Sequence, residues 1–302
     1  MEKVTILLST YNGENFIIEQ LESLLNQTHK NIQILIRDDG SKDKTSELLR
    51  NFIQDKQNMQ VFFEKNVGVI KSFFELVEKT QESDYYFFCD QDDFWEKEKV
   101  EKAIQKIKEK EKFQKYIGYC SNLKLVDEKL FFLGLNYKKK LIPSLKNCFF
   151  ENIVTGCTYA CNKNLFFKIR EEIKKIDLSK IIMHDYFFCF INCLYGDLIY
   201  DENSYILYRQ HSGNVIGSKK NFFSKNIGRL KKINSRKNER YRMFDMLLKL
   251  YNEDIPKNIN TEFINNYNNF FKRSKYIFTS DIKRQNKFDT FLIKILYLLK
   301  YY

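Results

Sequence analysis

Three aspartates that directly follow an apolar run are the residues of this sequence best suited to chemistry. The run covers residues 85–89 and leads into Asp90-Gln91-Asp92-Asp93. Carboxylates packed this closely repel one another and resist removal from water. Proteins tolerate such crowding by binding a divalent cation through oxygen ligands, often shared with substrate phosphates. The stretch therefore predicts a site for a cation and a phosphorylated ligand.

The apolar run itself predicts where that site lies. An unbroken, aromatic-rich apolar run is typical of a strand buried on both faces in the middle of a parallel sheet. The carboxyl ends of such strands form the edge at which open α/β sheets bind ligands. An alternative interpretation needs no ligand. Asp93 could cap a helix that begins with Phe94-Trp95-Glu96, because aspartate is a preferred N-cap residue.

Strands and helices alternate through the first third of the chain. Strands are predicted at residues 4–9, 32–36, 60–63 and 85–89, and helices at 16–25, 42–53, 70–77 and 95–110. This order predicts an α/β fold with a mostly parallel central sheet and right-handed crossovers.

Polar residues follow every one of these strands. They are Ser9-Thr10-Tyr11-Asn12, Asp38-Asp39, Asn66 with Lys71, and Asp90 to Asp93. Because parallel strands place their carboxyl ends along one edge, we expect the four groups to converge on a single crevice. Core packing alone does not predict such convergence.

The second half is less regular. Strands are predicted at residues 116–120, 155–161, 198–200 and 204–208, with a strand or hairpin at 124–135. An apolar helix at 187–194 is opened by Met183-His184-Asp185-Tyr186. Asp185 could serve there merely as an acidic residue favoured by the helix dipole.

Length and charge predict two parts. The 302 residues suffice for one large α/β domain plus an appendage. The net charge of +12 is uneven, since residues 219–249 are strongly basic. Such a balance suits nucleic acid, an anionic membrane surface or phosphate-rich substrates. We expect an α/β domain at 1–217 and a basic, aromatic-rich helical region at 218–302.

The segment 288–302 is strongly apolar, but it is too short and too charged to span a bilayer. Its pattern is equally typical of a helix on a membrane surface and of a helix docked on its own domain. The chain begins directly with a strand and shows no signal sequence, so we expect a cytoplasmic location. The seven cysteines lack CxxC spacing and matching histidines, and we interpret them as buried thiols rather than metal ligands.

Five motifs occur in an order and spacing that specify a family. They are Ser9-Thr10-Tyr11-Asn12, Gln27-Thr28, Asp38-Asp39-Gly40-Ser41-Lys42-Asp43, Asn66-Val67-Gly68 and Asp90-Gln91-Asp92-Asp93. Together they resemble the family 2 glycosyltransferases with the GT-A fold, a Rossmann-like sheet flanked by helices. The run from Asp90 to Trp95 and the later Tyr208-Arg209-Gln210-His211-Ser212-Gly213-Asn214 are similar to its rhamnosyltransferase-type branch. The resemblance covers residues 1–217.

The resemblance implies a nucleotide-sugar site. Ser9, Tyr11 and Asp39 match residues that grip the base, and a carboxylate can accept the N3–H of uracil or thymine. A UDP- or dTDP-sugar donor is therefore expected. The full predicted donor-binding set is Ser9, Thr10, Tyr11, Asn12, Asp39, Asn66, Lys71, Asp90, Gln91 and Arg209.

The same resemblance implies a divalent cation, Mn²⁺ or Mg²⁺. Asp90 and Asp92 match the family's DxD carboxylates, and the predicted metal ligands are Asp92, Asp93 and His211. The cation would bridge the two phosphates and offset charge on the departing nucleoside diphosphate. Asp185 matches the catalytic base, which deprotonates the acceptor hydroxyl. His184 precedes it where the family usually has an acid.

The predicted function is a metal-dependent inverting transferase. It would move a sugar, rhamnose by branch resemblance, onto a glycan or lipid-linked oligosaccharide, with membrane contact through the C-terminal helices at the inner face of the plasma membrane. One alternative is a nucleic-acid-binding protein that uses the basic region, with salt-sensitive binding and no need for a carboxylate triplet. Another is a non-catalytic sugar-nucleotide-binding subunit, against which the set Asp90, Asp92 and Asp185 argues. We expect no nucleic-acid partner.

Overall fold

The computed structural model describes residues 1–211, 238–279, 282, 284 and 287–302. Ser212, Gly213 and Asn214 of the late motif lie outside the described residues. So do the predicted domain boundary at 217/218 and residues 219–237 of the basic stretch.

The described strands form one mixed, nine-stranded sheet. They are β1 Val4–Thr10, β2 Ile32–Asp38, β3 Met59–Phe63, β4 Tyr85–Cys89, β5 Phe94–Trp95, β6 Ile117–Val126, β7 Phe132–Leu135, β8 Ala160–Asn162 and β9 Asp197–Arg209. Their order is β3-β2-β1-β4-β8-β6-β9-β5, with β7 paired to β6. The half from β3 to β4 is parallel, and β6 and β9 also pair in parallel. By contrast, β5, β7 and β8 run antiparallel to their neighbours.

Helices cover both faces of this sheet. In the α/β part they are α1 Ile17–Leu25, α2 Thr45–Ile53, α3 Val69–Lys79, α4 Lys99–Glu111, α5 Leu145–Cys148, α6 Lys163–Ile173 and α7 His184–Tyr195. Beyond residue 237 they are α8 Glu239–Leu250, α9 Glu262–Asn265, α10 Phe270–Thr279 and α11 Lys287–Leu298. Single 3₁₀ turns lie at Gly156–Thr158 and Leu178–Lys180.

The central strands are apolar on both faces because both faces are covered. Every residue of β4 is buried, and β4 lies between β1 and β8, which confirms its predicted central position. Successive side chains of a strand point to opposite faces. Accordingly, Tyr86 and Phe88 belong to one buried cluster, and Tyr85, Phe87 and Cys89 to the other.

Four predicted elements differ in the structure. The helix predicted at 95–110 begins at Lys99, because Phe94–Trp95 instead forms β5 by pairing with β9. Asp93 therefore caps no helix. The strands predicted at 198–200 and 204–208 are one strand, β9, which accommodates irregular register opposite β6. Similarly, the strand predicted at 116–120 continues to Val126 and forms the β6–β7 hairpin.

The fourth difference lies at residues 155–161. The first part of this segment is the 3₁₀ turn Gly156–Thr158, and only Ala160–Asn162 is a strand. Gly156 lies so close to His184 that a Cβ atom added there would be 2.8 Å from the histidine Nε2. The close packing of α7 against this turn explains the glycine.

The C-terminal helices dock on the α/β part through aromatic residues. The rings of Phe149 and Phe244 are 5.1 Å apart, and those of Phe150 and Tyr302 are 6.0 Å apart. Tyr297 and Tyr302 are buried in the same cluster as Tyr86 and Phe88 of the sheet. Docking on the chain's own domain is thus observed for these helices. Across the described ranges, no helix is both long and apolar enough to cross a membrane.

Candidate active site

The ends of β1 and β2 are tied together by hydrogen bonds between the loops that follow them. The Asp39 amide donates to the Thr10 carbonyl at 2.8 Å, and the Asn12 amide donates to Ser41 Oγ at 2.9 Å. In return, Asn12 Oδ1 accepts the Lys42 amide at 2.8 Å. Asn12 has a φ of 51°, a left-handed conformation that asparagine tolerates well.

Gln91 joins the end of β4 to the end of β1. Its Oε1 accepts from Thr10 Oγ1 at 2.6 Å and from the Tyr11 amide at 2.8 Å, while its Nε2 donates to the Tyr11 carbonyl at 3.1 Å. The Tyr11 side chain remains exposed beside this junction. The predicted convergence of the polar groups after β1, β2 and β4 is thus observed.

Asp39 holds the Asn66-Val67-Gly68 turn against the same edge. Its buried carboxylate accepts the amides of Val67 at 2.8 Å and Gly68 at 2.9 Å, and it forms an ion pair with Arg37. Gly40, which follows, has a φ of 73°, and an added Cβ would lie 2.9 Å from the Asn66 amide. The Asn66 side chain on the turn is exposed.

Ser9, near the end of β1, contacts the first turn of α3, where Lys71 also lies. Ser9 Oγ and Ser72 Oγ are 2.6 Å apart, and Ser72 also accepts from Arg37 at 3.2 Å. The Lys71 side chain is about half exposed, with Nζ 3.9 Å from Glu75. These two predicted donor-binding residues therefore border the rim that Asp39 builds.

The three aspartates after β4 have different partners. Asp92 pairs with His211 in an outer pair, whereas Asp90 and Asp93 form an inner group with Cys157. In the outer pair, Asp92 Oδ2 lies 2.8 Å from His211 Nε2. The inner group consists of Asp90, Asp93 and Cys157, whose oxygen and sulfur atoms all lie within 4.8 Å of one another. Asp93 Oδ1 accepts the Arg209 amide at 3.2 Å, whereas Oδ2 is buried with no hydrogen-bond partner among the described residues. Such an orphaned carboxylate oxygen, beside a second carboxylate, fits a divalent cation.

Burial makes the charged forms of the inner aspartates costly. Removal from water, together with the nearby charges of Asp92 and Asp185, raises the pKa of Asp90 to about 7. The pKa of Asp93 is raised well above its ordinary range, first by burial and then by Asp92 and Asp90. A proton or a cation is needed to neutralise this group.

Asp185 lies in the first turn of α7 and faces the same acidic group. Its Oδ1 accepts from Asn152 Nδ2 at 2.9 Å. Burial raises the pKa of Asp185 to about 7, although hydrogen bonds from the backbone of Tyr186, from Asn152 and from the backbone of Gly156 act in the opposite direction. A Cβ added at Gly156 would lie 3.8 Å from the Asp185 Cβ, and the next residue, Cys157, belongs to the inner group, so Asp185 lies beside that group. A base with this pKa is half ionised near neutral pH.

His184 packs beside the site in a neutral form. Its ring stacks on Phe73 with the ring centres 4.0 Å apart. Burial lowers the pKa of His184 to about 3, and neither ring nitrogen has a hydrogen-bond partner in the part of the chain described. This environment suits a packing residue beside Asp185 better than a second base.

Arg209 stabilises the acidic loop, residues 90–93, through hydrogen bonds. Its Nε donates to the Asp92 carbonyl at 2.9 Å, and its guanidinium also pairs with Glu19 and the Glu128 carbonyl. The guanidinium carbon lies 4.6 Å from the centre of the Phe16 ring. Direct contact between Arg209 and a donor stays a prediction, as do the donor-binding roles of the other predicted residues.

Three residues of the site were not predicted from the sequence. Cys157 joins Asp90 and Asp93, although the cysteines were interpreted as thiols outside any metal site. Asn152 orients Asp185, and the buried Lys99 lies with its Nζ 3.2 Å from the centre of the Trp95 ring. Burial lowers the pKa of Lys99 to about 7. Cys157 and Asn152 belong to an irregular segment without a motif, so no local pattern could have identified them.

The architecture is found in solved structures of low sequence identity. It matches the crystal structure of S. aureus TarS 1–349 in complex with UDP, with a TM-score of 0.60 and 17% identity over 96% of this chain and 80% of that one. The complex of TarS 1–349 with UDP-GlcNAc matches equally, with a TM-score of 0.60 and 18% identity over 98% of this chain and 81% of that one. Fold and acidic edge together define a protein of the GT-A class, as predicted.

The chain belongs to glycosyl transferase family 2, whose sequence model matches residues 5–176. A dTDP-rhamnosyl transferase, RfbG of Shigella flexneri, is 30% identical over 72% of this chain and 76% of its own length. An uncharacterised glycosyltransferase of Rickettsia typhi is 28% identical over 99% of this chain and 92% of its own length. The predicted family is thereby confirmed, and the chain is a glycosyltransferase.

Proposed function

We propose that this glycosyltransferase is an inverting enzyme that transfers a sugar from a UDP- or dTDP-sugar to a hydroxyl of a glycan or lipid-linked oligosaccharide. One observation carries the proposal. Asp185, in the first turn of α7, packs against Gly156, where an added Cβ would lie 3.8 Å from the Asp185 Cβ, and the sulfur of the next residue, Cys157, lies within 4.8 Å of carboxylate oxygens of Asp90 and Asp93. A base and a ligand-binding carboxylate therefore border one crevice at the carboxyl edge of the sheet.

Asp185 acts as the general base in this proposal. Its carboxylate takes the proton of the acceptor hydroxyl while that oxygen forms a bond to the anomeric carbon of the donor. The bond between that carbon and the diphosphate oxygen breaks, and its electron pair leaves with the nucleoside diphosphate. Attack from the face opposite the leaving group inverts the configuration. A pKa of about 7 suits the role, because a base is most effective near the working pH.

The acidic residues provide suitable ligands for Mn²⁺ or Mg²⁺. Asp92, Asp93 and His211 are the ligands inferred from the family motif. Of these, Asp93 lies in the inner group beside Asp90, which supports its part in a cation site, whereas Asp92 and His211 pair with each other. When bound, a divalent ion supplies Lewis-acid stabilisation of the leaving diphosphate. Arg209 holds the Asp92 carbonyl and so keeps the acidic loop in place.

The donor and the acceptor are inferred from relatives. RfbG is named as a dTDP-rhamnosyl transferase, which supports a dTDP-linked donor and rhamnose as the sugar. The TarS complexes contain UDP and UDP-GlcNAc, which supports a uridine-linked donor for a chain of the same fold. All seven cysteines are free thiols, which fits a reducing cytoplasm and an acceptor presented at the inner face of the plasma membrane.

The outer faces of the C-terminal helices expose phenylalanines, among them Phe271, Phe278 and Phe288. Their contact with a membrane stays a prediction, distinct from the docking of the inner faces described above.

A thermal-shift series with UDP- and dTDP-sugars, each with and without Mn²⁺, tests the proposed function. A ligand that binds the folded state at about 100 times its Kd stabilises it by about 2.7 kcal/mol. We expect one donor class to stabilise the protein, more so with Mn²⁺. Asp92→Ala should lose the Mn²⁺-dependent part and metal-dependent transfer, whereas the exposed Asp55→Asn should behave as wild type. Absence of stabilisation by every nucleotide sugar would contradict the proposal.

A further inference from the structure

The β6–β7 hairpin exposes apolar side chains on both of its faces. Phe131 is 67% exposed, Phe132 63%, Leu133 49% and Leu135 43%. Consecutive strand residues point to opposite faces, so an ordinary solvent-exposed strand alternates apolar with polar residues. Here the alternation is missing. Contiguous exposed apolar surface of this kind marks an interaction site more often than a chance exposure.

The position of β7 leaves this surface open. Within the described residues β7 pairs with β6 alone and lies off the main order of the sheet. Proteins usually protect such edge strands with charged side chains or proline. The strand Phe132–Leu135 contains neither. We therefore infer that a binding partner covers its exposed surface.

Lysines flank the apolar strand and indicate the charge of that occupant. Lys129 precedes it, and Lys138, Lys139 and Lys140 follow it, all exposed. Two acidic residues lie at the turn, Asp127 and Glu128, and the Asp127 carboxylate accepts the amides of residues 129 and 131 at 2.9 Å each. Lys140 Nζ lies 3.7 Å from the exposed Glu202. Apolar side chains flanked by lysines match the interface of an anionic bilayer.

The hairpin turn is connected to the acidic loop of the active site. The Gln210 amide donates to the Val126 carbonyl at 2.9 Å, and the Arg209 guanidinium donates to the Glu128 carbonyl. Arg209 in turn holds the Asp92 carbonyl at 2.9 Å. A surface that contacts the hairpin therefore lies near the rim of the crevice.

We propose that the turn and second strand of the β6–β7 hairpin, together with the segment that follows (residues 127–140), bind the surface of an anionic membrane. Phe131, Phe132 and Leu133 enter the boundary between headgroups and acyl chains, and the flanking lysines meet lipid phosphates. Membrane binding itself does not depend on the proposed transfer reaction. Its consequence does rest on that proposal: a lipid-linked acceptor held in the bilayer would be presented beside Asp185.

Sedimentation of the full chain with vesicles tests this inference. Vesicles of phosphatidylglycerol are compared with vesicles of phosphatidylcholine. We expect binding to phosphatidylglycerol, reduced about tenfold or more by Phe132→Ser with Leu133→Ser, since two large apolar side chains leave the interface. Lys138→Gln with Lys139→Gln should weaken binding to phosphatidylglycerol by about fivefold per lysine and leave phosphatidylcholine unaffected.

A matched control lies just after α4. Phe113→Ser removes a phenylalanine that is 87% exposed and lies outside both the hairpin and the C-terminal helices, and we expect this variant to bind vesicles as wild type does. Full vesicle binding by the hairpin variant, or loss of binding in the Phe113 variant instead, would overturn the inference. Two other results would also overturn it by identifying another occupant. One is that the wild type forms a dimer without lipid and the hairpin variant does not. The other is that, without lipid, the hairpin variant melts at a lower temperature than the wild type, which would show that these side chains pack within the protein.

Donor-induced stabilisation is measured in the same variants and should equal that of wild type. A failed donor test with intact vesicle binding would refute only the proposed transferase specificity. Intact donor binding with unchanged vesicle binding by the hairpin variant would refute only the membrane surface.

Discussion

At the scale of single residues, the properties of the site follow from burial of carboxylates. Asp90, Asp93 and Asp185 each have a raised pKa, and removal from water is the largest cause in every case. A buried carboxylate that binds its proton more tightly when folded stabilises the protein at low pH and loses that contribution as pH rises. The protein thus loses stability near neutral pH because these three carboxylates are held together at the end of the sheet.

Asp185→Asn should separate activity from stability. Transfer should fall by about a hundredfold or more, the typical scale for loss of a general base, while donor-induced stabilisation is retained. The pKa of Asp185 rises from 3.8 to about 7 on folding, so the wild type loses stability between these pH values. Without metal or donor, the variant should therefore melt higher than wild type at pH 8 and similarly at pH 4. Turnover equal to wild type would exclude Asp185 as the base.

Asn152→Ala should move the acid limb of the pH–rate profile to higher pH. The Asn152 amide donates to Asp185 Oδ1 at 2.9 Å and favours the charged form, so its loss raises the pKa of Asp185 further. A hydrogen bond to a charged group contributes about 1.5–3 kcal/mol, so a shift of about one to two pH units is expected in kcat/KM. Asn31→Ala, at the opposite edge of the sheet, serves as the control. An unmoved acid limb in Asn152→Ala would show that another group titrates.

At the scale of elements, the sequence was most informative where a strand is one long apolar run. Residues 85–89 are buried throughout, and their pattern predicted both a central strand and the ligand-binding edge after it. The mixed half of the sheet was less predictable, because pairing between strands that are distant in sequence decides which residues form a strand there. A strand as short as Phe94–Trp95 exists only through its pairing with β9, which no local pattern encodes. The same reason explains why Cys157, on a 3₁₀ turn, was not assigned to the site.

Arg37 on β2 is the residue that most clearly joins elements. It is buried and bonds to Asp39, to Glu75 at 2.9 Å and to the Lys65 carbonyl at 3.1 Å, and so connects β2, the turn after β3 and α3. Arg37→Met would leave the Asp39 carboxylate buried beside an apolar side chain. Removal of one partner of a buried ion pair costs about 3–5 kcal/mol, which urea denaturation would measure.

Two further variants give this prediction its controls. Arg50→Met, an exposed arginine on α2 whose guanidinium lies 3.9 Å from the Phe63 ring, should cost less than about 1 kcal/mol. Asp39→Asn combined with Arg37→Met should recover part of the loss, because no unpaired charge then remains buried. If Arg37→Met were as stable as wild type, the turn that carries Asn66 would not depend on this ion pair.

At the scale of the whole molecule, the chain end belongs to the main core. Tyr302 is buried, its hydroxyl donates to the Phe149 carbonyl, and its ring lies 5.7 Å from that of Phe263. Phe149 also packs against Phe190 of α7, the helix that carries Asp185. The C-terminal helices therefore support the helix that positions Asp185, the proposed base. The predicted division at 217/218 stays a prediction, but the two parts share one aromatic cluster.

Removal of the C-terminal region should consequently impair donor binding as much as acceptor binding. Deletion after residue 237 would expose Phe149, Phe150 and Phe190, and we expect loss of the cooperative melting transition together with donor-induced stabilisation. The milder Tyr302→Ala should cost about 3–5 kcal/mol, the usual range for truncation of a buried large aromatic side chain. Phe113→Ala, at an 87% exposed residue, should change stability by no more than about 0.5 kcal/mol. A truncated chain that still melted cooperatively and bound donor would show that the α/β part is stable without its C-terminal helices.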